Sequence, residues 1–406
     1  MRGRRRSWTS IFASRFMPSG DTGRRHDTTG SRPACRRAET GAVAVFPPRS
    51  KETSMGRIRV GVIGCGLIGQ IMHLPHLKEL HDLFEVSALC DVSPGTLKYV
   101  GDYYGVARRF TDHRALLKEP IDAAVVLSAD SHGQVIVDAL ETGKHVFTEK
   151  PMCFTLREAD EILAAHKKAG TVCMVTYMKR YDPGFRYAHP LIRRMRDLQA
   201  IQITVLHPSE TNQIGHHDVR RFMDVPAAVR AKLVADQDAL IREAIGDFTP
   251  LERRVFANNL LSTLVHDINV LRGLSSDPEE VLFTDVWHGG EGMLTSMRYA
   301  NGVRAIVSLQ YLPDLANYEE TVAYYGRSDR VRLVFPSPFF RNMPTPVTVE
   351  GMEDGKPFAK TVTASMKEAF KEEMIHFSDC VQQGKTPITT PEEAKGDVAL
   401  LHKIFH

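Results

Sequence analysis

Two groups of residues have the types and spacing for chemistry. The first is Gly64-Cys65-Gly66-Leu67-Ile68-Gly69, followed 22 positions after its last glycine by Asp91. The first glycine of such a run allows a tight turn, the second lets backbone approach a pyrophosphate, and the third lets helix and strand pack closely. Free N–H groups at the start of the following helix then face the phosphates. An acid about 20 residues on accepts hydrogen bonds from the adenosine ribose and repels a 2′-phosphate. The chemistry implied is hydride transfer with NAD(H) favoured and NADP(H) possible. The second group is Asn259, Ser262, His266 and Asn269, at steps of three and four along a predicted helix over 258–273. That spacing puts them on one helix face, while Leu260, Leu264, Ile268 and Leu271 lie on others. A polar stripe on a mostly apolar helix lines a cavity.

The glycine run carries weight only where a strand precedes it and a helix follows. Arg57 to Ile63 reads as a strand of branched residues running into Gly64. The residues after Gly69 are helical in pattern, with Pro75 expected to kink the helix late. A second strand over 85–90 ends at Asp91. Helices over 92–104, 132–142 and 156–169 then alternate with strands over 121–127, 144–148 and 171–176. Repeated βα units imply an α/β fold with a doubly wound parallel sheet and ligand at the strand C-termini.

Beyond residue 180 the texture becomes strand-rich, at 200–206, 281–287, 295–300, 303–309, 320–325 and 331–335. Asn301-Gly302 is a hairpin signal between two of these strands. Helices over 365–383 and 391–405 close the chain; Phe370, Met374, Phe377 and Val381 give the first an apolar stripe. The charged, helix-prone stretch at about 207–257 reads as an insertion, a lid or an oligomer contact. Its His216-His217-Asp218 run lacks the i,i+4 spacing of helical zinc motifs, so no metal is expected.

Composition narrows the classes. Of 406 residues, 43% are hydrophobic and 25% charged, the balance of a globular protein. No apolar run reaches the roughly 18 residues of a membrane span. The six cysteines are scattered with no CxxC pair, which suits a reducing cytoplasm and suggests neither zinc nor disulfides. Residues 1–54 hold twelve Arg/Lys against four Asp/Glu, so the net charge of +3 leaves the rest mildly acidic. Nucleic-acid binding by the body is therefore not expected. Residues 1–55 are expected to be a disordered basic extension, and Met55 is a candidate start of the working protein.

The run Gly143-Lys144-His145-Val146-Phe147-Thr148-Glu149-Lys150-Pro151 resembles the "aGkHVl-EKP" block of the Gfo/Idh/MocA oxidoreductases, the glucose–fructose oxidoreductase and inositol dehydrogenase family. Ser128-Ala129-Asp130-Ser131-His132 stands where that family has its TPxxxH turn, with the His kept. Met174 to Pro183 resembles its "mvGfxrRydP" segment. The resemblance implies a Rossmann domain over 56–180. It also implies a substrate and oligomerisation domain over 181–406, built on a large, mostly antiparallel open sheet and used for homodimers or homotetramers. Lys150 matches the family lysine beside nicotinamide and substrate oxygen, and Glu149 would orient it. Ser128 and His132 join the cofactor-binding set with Gly64 to Gly69, Asp91, Glu149 and Lys150. Arg180 matches a substrate-side arginine, with Tyr181 beside it. His266 matches the family histidine, but two acids of that helix fall on Ser262 and Asn269, which weakens His266 as a base.

The combined expectation is a cytoplasmic enzyme. It would transfer hydride between nicotinamide and a secondary hydroxyl or ketone of a sugar, cyclitol or related polyol. Lys150 and His266 would be catalytic; Arg180, Tyr181, Asn259, Ser262 and Asn269 would hold substrate. Two other readings stand beside it: a redox-neutral enzyme with tightly held NAD, and a non-catalytic cofactor-binding sensor or scaffold.

Overall fold

A computed structural model describes residues 56–406. The expected disordered extension over 1–55 lies outside the described residues.

The first sheet is built from β1 (Ile58–Ile63), β2 (Phe84–Cys90), β3 (Arg109–Phe110), β4 (Ala123–Val126), β5 (His145–Glu149) and β6 (Cys173–Thr176). All pairings are parallel and the order is β3-β2-β1-β4-β5-β6. β1, β4 and β6 are almost wholly buried because helices cover both faces. Each crossover helix has its own start signal. Ser93 caps helix Pro94–Tyr104 by accepting from Thr96 N at 3.1 Å. Thr155 and Glu158 form a reciprocal capping box on helix Leu156–Ala169. The strand order reverses between β2 and β4, either side of β1. Ligands of doubly wound sheets bind at that crevice.

The second sheet contains β7 (Leu198–His207), β8 (Glu280–Trp287), β9 (Gly292–Arg298), β10 (Arg304–Tyr311), β11 (Glu319–Gly326), β12 (Arg330–Phe335), β13 (Pro346–Glu353) and β14 (Lys356–Thr363). Its order is β14-β13-β12-β11-β7-β10-β9-β8, and only β7 with β10 is parallel. Asn301-Gly302 turns β9 into β10, with Gly302 at φ 86°. The hairpin β13–β14 escapes the sequence pattern because β14 is almost entirely exposed and lacks alternation. Its Asp354-Gly355 turn, with φ 51° and 73°, was the available signal.

The closing helices return to the first sheet. Met374 and Phe377 of helix Ala369–Gln383 share a core with Val60, Val62, Leu89 and Phe147. Helix Pro391–Phe405 buries Val398, Leu401 and Ile404 in the core that joins both sheets. The insertion forms helices Glu210–Ile214, Ala227–Ile245 and Pro250–Arg254. The long one docks on the nucleotide domain through Gln237 to Asp130 at 3.1 Å and an Arg157–Glu243 pair at 2.9 Å.

Candidate active site

Gly64 begins the loop that follows β1. Its φ is +94°, and a Cβ there would lie 2.6 Å from backbone atoms of Leu127 and Ser128. Only glycine satisfies both the turn and that approach. Gly66 has open space where a Cβ would be, and the residue is exposed. The loop is tied to β2 through Asp91, whose carboxylate accepts from Cys65 N and Ser93 N, each at 2.8 Å. The Cys65 and Leu67 side chains pack inward and Ile68 joins them, so their backbone rather than their side chains faces the crevice. Residues Gly69–His73 wind as a π-helix before Leu74–Glu79 continues as α-helix, with Pro75 just past the change. The free amides, the open space at Gly66 and the acid ending β2 fit the pyrophosphate and ribose of a dinucleotide.

Lys150 follows β5, and Lys150-Pro151 is a cis peptide. Its Nζ donates to the Ser262 carbonyl at 2.7 Å, linking the strand end to the 258–273 segment. Burial and the neighbouring Lys179 lower its pKa, against the opposing pull of Glu149. Glu149 itself is buried and hydrogen-bonds His73 Nε2 at 2.7 Å and Lys150 N at 3.1 Å. Burial pushes its carboxyl up, but His73 and Lys150 outweigh that and leave it low.

His266 is half-buried, and its Nδ1 has no hydrogen-bond partner among the described residues. Burial, then the charges of Lys150 and Lys179, hold its pKa well below 6.5. The ring is therefore neutral at pH 7, a hydrogen-bonding group rather than a strong base. The acids absent at 262 and 269 are not replaced on that helix face. Carboxyl groups approach instead from beneath. Lys179, 5% exposed, pairs with fully buried Glu320 on β11, whose other oxygen accepts from Tyr318 OH at 2.5 Å. Buried Asp267 faces the same pair, and burial with the Glu320 charge raises its pKa well above 3.8. That shift favours its neutral acid.

Several residues expected in the cleft are turned elsewhere. Arg180 pairs with Glu393 of the last helix, and its guanidinium lies over the Phe185 ring. Tyr181 is fully buried, its OH bonded to Thr389 Oγ1 at 2.9 Å. Both sit in a 3-10 turn, Met178–Tyr181. At three residues per turn neighbours diverge by about 120°, and it is Lys179 that points to the site. Asn259 donates to Gly290 O at 2.9 Å and Asn269 to Asp397 at 2.8 Å, both fully buried. Burial lifts Asp397 to about 6 against the pull of Arg272. Asn259 leaves the stripe because Val255–Leu264 is a π-helix, which advances less per residue than the α-helix whose steps the stripe assumed. Asn269 lies with His266 on α-helix Val265–Leu274 and is held by its bond to Asp397. Ser262 does face the cleft, exposed. His132 is buried; its nitrogens lie 2.7 Å from Glu149 O and Ser128 O. Donating to both carbonyls needs the imidazolium, whereas burial lowers its pKa. His132 holds two loops together and has no free nitrogen for a cofactor. Ser128 Oγ, just past the end of β4, is buried without a partner among the described residues.

One group among the described residues has ligand atoms close enough for a cation: His73, Glu149 and Glu373, all within 4.8 Å. Burial and the nearby Glu149 and Glu368 raise Glu373 well above the carboxylate range, which favours its neutral acid. His217 of the 216–218 run instead bonds Phe339 O at 2.7 Å.

Residues 58–177, β1 through β6, match the family described as "Oxidoreductase family, NAD-binding Rossmann fold". That stretch resembles the nucleotide-binding domain of the Gfo/Idh/MocA oxidoreductases. It is 36% identical over 137 residues to the oxidoreductase YrbE of Bacillus subtilis (strain 168). That match covers 32% of the chain and 38% of the relative, so it spans well under half of that relative's length. A longer match, 22% identical over 351 residues, is to the myo-inositol 2-dehydrogenase of Thermotoga maritima, covering 83% of the chain and 92% of the relative. Among solved structures, a 3-ketoreductase of Actinomadura kijaniata, KijD10, in complex with NADP and TDP-benzene, has the same fold. Its TM-score is 0.64 at 20% identity, covering 85% of the chain and 96% of that structure. No helix among the described residues is long and apolar enough to cross a membrane.

Proposed function

We propose that this chain is a Gfo/Idh/MocA oxidoreductase that depends on NAD(H) and acts on a secondary hydroxyl, or the matching ketone, of a sugar, cyclitol or related polyol. The observation that carries the reading is Lys150. It leaves the end of β5, which Glu149 ties to His73 just past the glycine run, and reaches the Ser262 carbonyl with a lowered pKa. The similar inositol dehydrogenase supports a polyol substrate. Asp91 supports NAD(H), although the similar 3-ketoreductase was solved with NADP. Residues 56–180 would bind cofactor; 181–406 would bind substrate and assemble a cytoplasmic homodimer or homotetramer.

A bound nicotinamide supplies the hydride acceptor or donor. In the oxidation direction, neutral Lys150 takes the hydroxyl proton as the carbon–oxygen bond gains double-bond character. Exchanging the Ser262 carbonyl for the substrate hydroxyl frees Nζ for this task. His266, kept neutral by burial and by the two lysines, orients a neighbouring hydroxyl, and exposed Ser262 offers another polar contact. Lys179, paired with Glu320, biases both groups toward their neutral forms.

The pH profile tests this assignment. Oxidation requires deprotonated Lys150, so its kcat/KM should rise with pH through one limb lying below the ordinary lysine value of 10.5. Ketone reduction requires the protonated form and should fall through the same limb. His266→Gln should lower kcat without moving it. A limb near 6.5 that vanishes in His266→Gln would assign the proton to His266 instead.

A further inference from the structure

The inserted segment reaches the nucleotide domain a second time, at the adenosine end of the crevice. Gln70, one residue beyond the glycine run, exchanges hydrogen bonds with the Arg220 backbone: Nε2 to Arg220 O at 3.1 Å, and Arg220 N to Oε1 at 3.0 Å. Two residues on, the Phe222 ring lies 6.3 Å from that of Tyr99. Two further on, the Asp224 carboxylate accepts from Ser93 Oγ at 2.5 Å and from Gly95 N at 2.6 Å. The seat is close-fitting: a Cβ on Gly95 would come within 2.7 Å of both Asp224 and Phe222.

Ser93 and Gly95 open helix Pro94–Tyr104 directly after Asp91. Their hydroxyl and amide are neutral donors at a helix N-terminus, a position that favours negative charge. Asp91 fixes the ribose end of the crevice, because its carboxylate joins the glycine loop at Cys65 N to the turn at Ser93 N. An anion carried on the ribose 2′ oxygen would therefore point at the Ser93 and Gly95 donors. Asp224 already holds them.

From this we infer that Asp224 is a second acidic determinant of cofactor choice, contributed by the substrate domain, which takes the 2′-phosphate position and excludes NADP(H). This rests on the nicotinamide reading above. Asp224 fills the donors that a phosphate would need and adds a like charge to that of Asp91. NAD(H), with a free 2′ hydroxyl, makes no demand on the same donors. Arg220 and Arg221 do not offset the charge at this position, since their side chains pair with Asp218 and Glu210. Hydrogen bonds at Ser93, Gly95 and Gln70 also tie the 207–257 insertion to the cofactor crevice.

The test is calorimetric titration of the full chain with NADH, NADPH, ADP and 2′,5′-ADP, repeated with Asp224→Asn and Asp224→Ala. Asn keeps the shape and removes the charge; Ala removes both. The expected result is that each variant tightens NADPH relative to NADH, and 2′,5′-ADP relative to ADP, by about tenfold or more. That equals about 1.4 kcal/mol at the 2′ position. Unchanged ratios in both variants, with NADH still bound, would overturn the role of Asp224 and leave the cofactor reading standing. A large loss of NADH affinity with no gain for NADPH would also overturn it, by making Asp224 a ribose ligand. Failure of the unsubstituted chain to bind either dinucleotide would overturn the cofactor reading itself.

Discussion

Lys150→Met should lower kcat for polyol oxidation by about 10³-fold while leaving the NADH dissociation constant within about threefold. General acid–base catalysis by one positioned group contributes typically 10²–10⁴-fold. Methionine keeps an unbranched side chain and removes the proton carrier. The hydrogen bond to the Ser262 carbonyl disappears too, but that carbonyl faces the open cleft and can be solvated. The loss should therefore fall on kcat, and the remaining pH limb should flatten. Steady-state kinetics with NAD⁺ and a polyol panel, paired with calorimetry, reads both quantities. Retained kcat would move the proton-transfer role away from Lys150.

Lys179→Met should destabilise the protein by about 3–5 kcal/mol, the usual cost of removing one partner from a buried ion pair. Glu320 is fully buried, and Asp267 is its neighbour. Without Lys179 the two carboxyls face one another, with Tyr318 OH still donating to Glu320. Urea unfolding measures the loss. The double variant Lys179→Met/Glu320→Gln should recover much of it, because the uncompensated charge is then gone. Lys179→Met should also let the His266 pKa rise, since one of the two cations depressing it has been removed. A loss below about 1 kcal/mol would mean that Glu320 is already neutral and that the pair is not ionic.

The nucleotide-binding half was legible because its signals are local. A glycine that must adopt φ +94° and an acid ending the next strand are short-range demands, as is a lysine just past a strand end, and sequence spacing reports all three. The second sheet was legible where alternation is strong, as in β10 and β11, and lost where the edge hairpin β13–β14 is exposed. The polar stripe illustrates a different limit. Steps of three and four assume an α-helix, and the π-helix over Val255–Leu264 takes Asn259 off the His266 face. Arg180 and Lys179 are adjacent in sequence, and only the tight 3-10 turn decides which one enters the site. Glu320 had a usable signal, since it falls in phase with Val322 and Tyr324 on one strand face, where an acid is out of character. Its partner could not be named, because Lys179 lies 141 residues away. The Asp224 contact, 131 residues from Ser93, is equally invisible to spacing.

The central claim is that the loop at Gly64 to Gly69 receives a nicotinamide dinucleotide, and Gly66 tests it most directly. A Cβ at this position meets no atom within 4 Å, so Gly66→Val leaves the protein's own packing untouched while filling the space assigned to the pyrophosphate. Calorimetric titration with NADH, after removal of any co-purified nucleotide, should give micromolar affinity for the unsubstituted chain. Gly66→Val should lose at least about 100-fold, some 2.7 kcal/mol, with an unchanged unfolding midpoint. Equal affinity in both proteins, or none in the unsubstituted chain, would contradict the account.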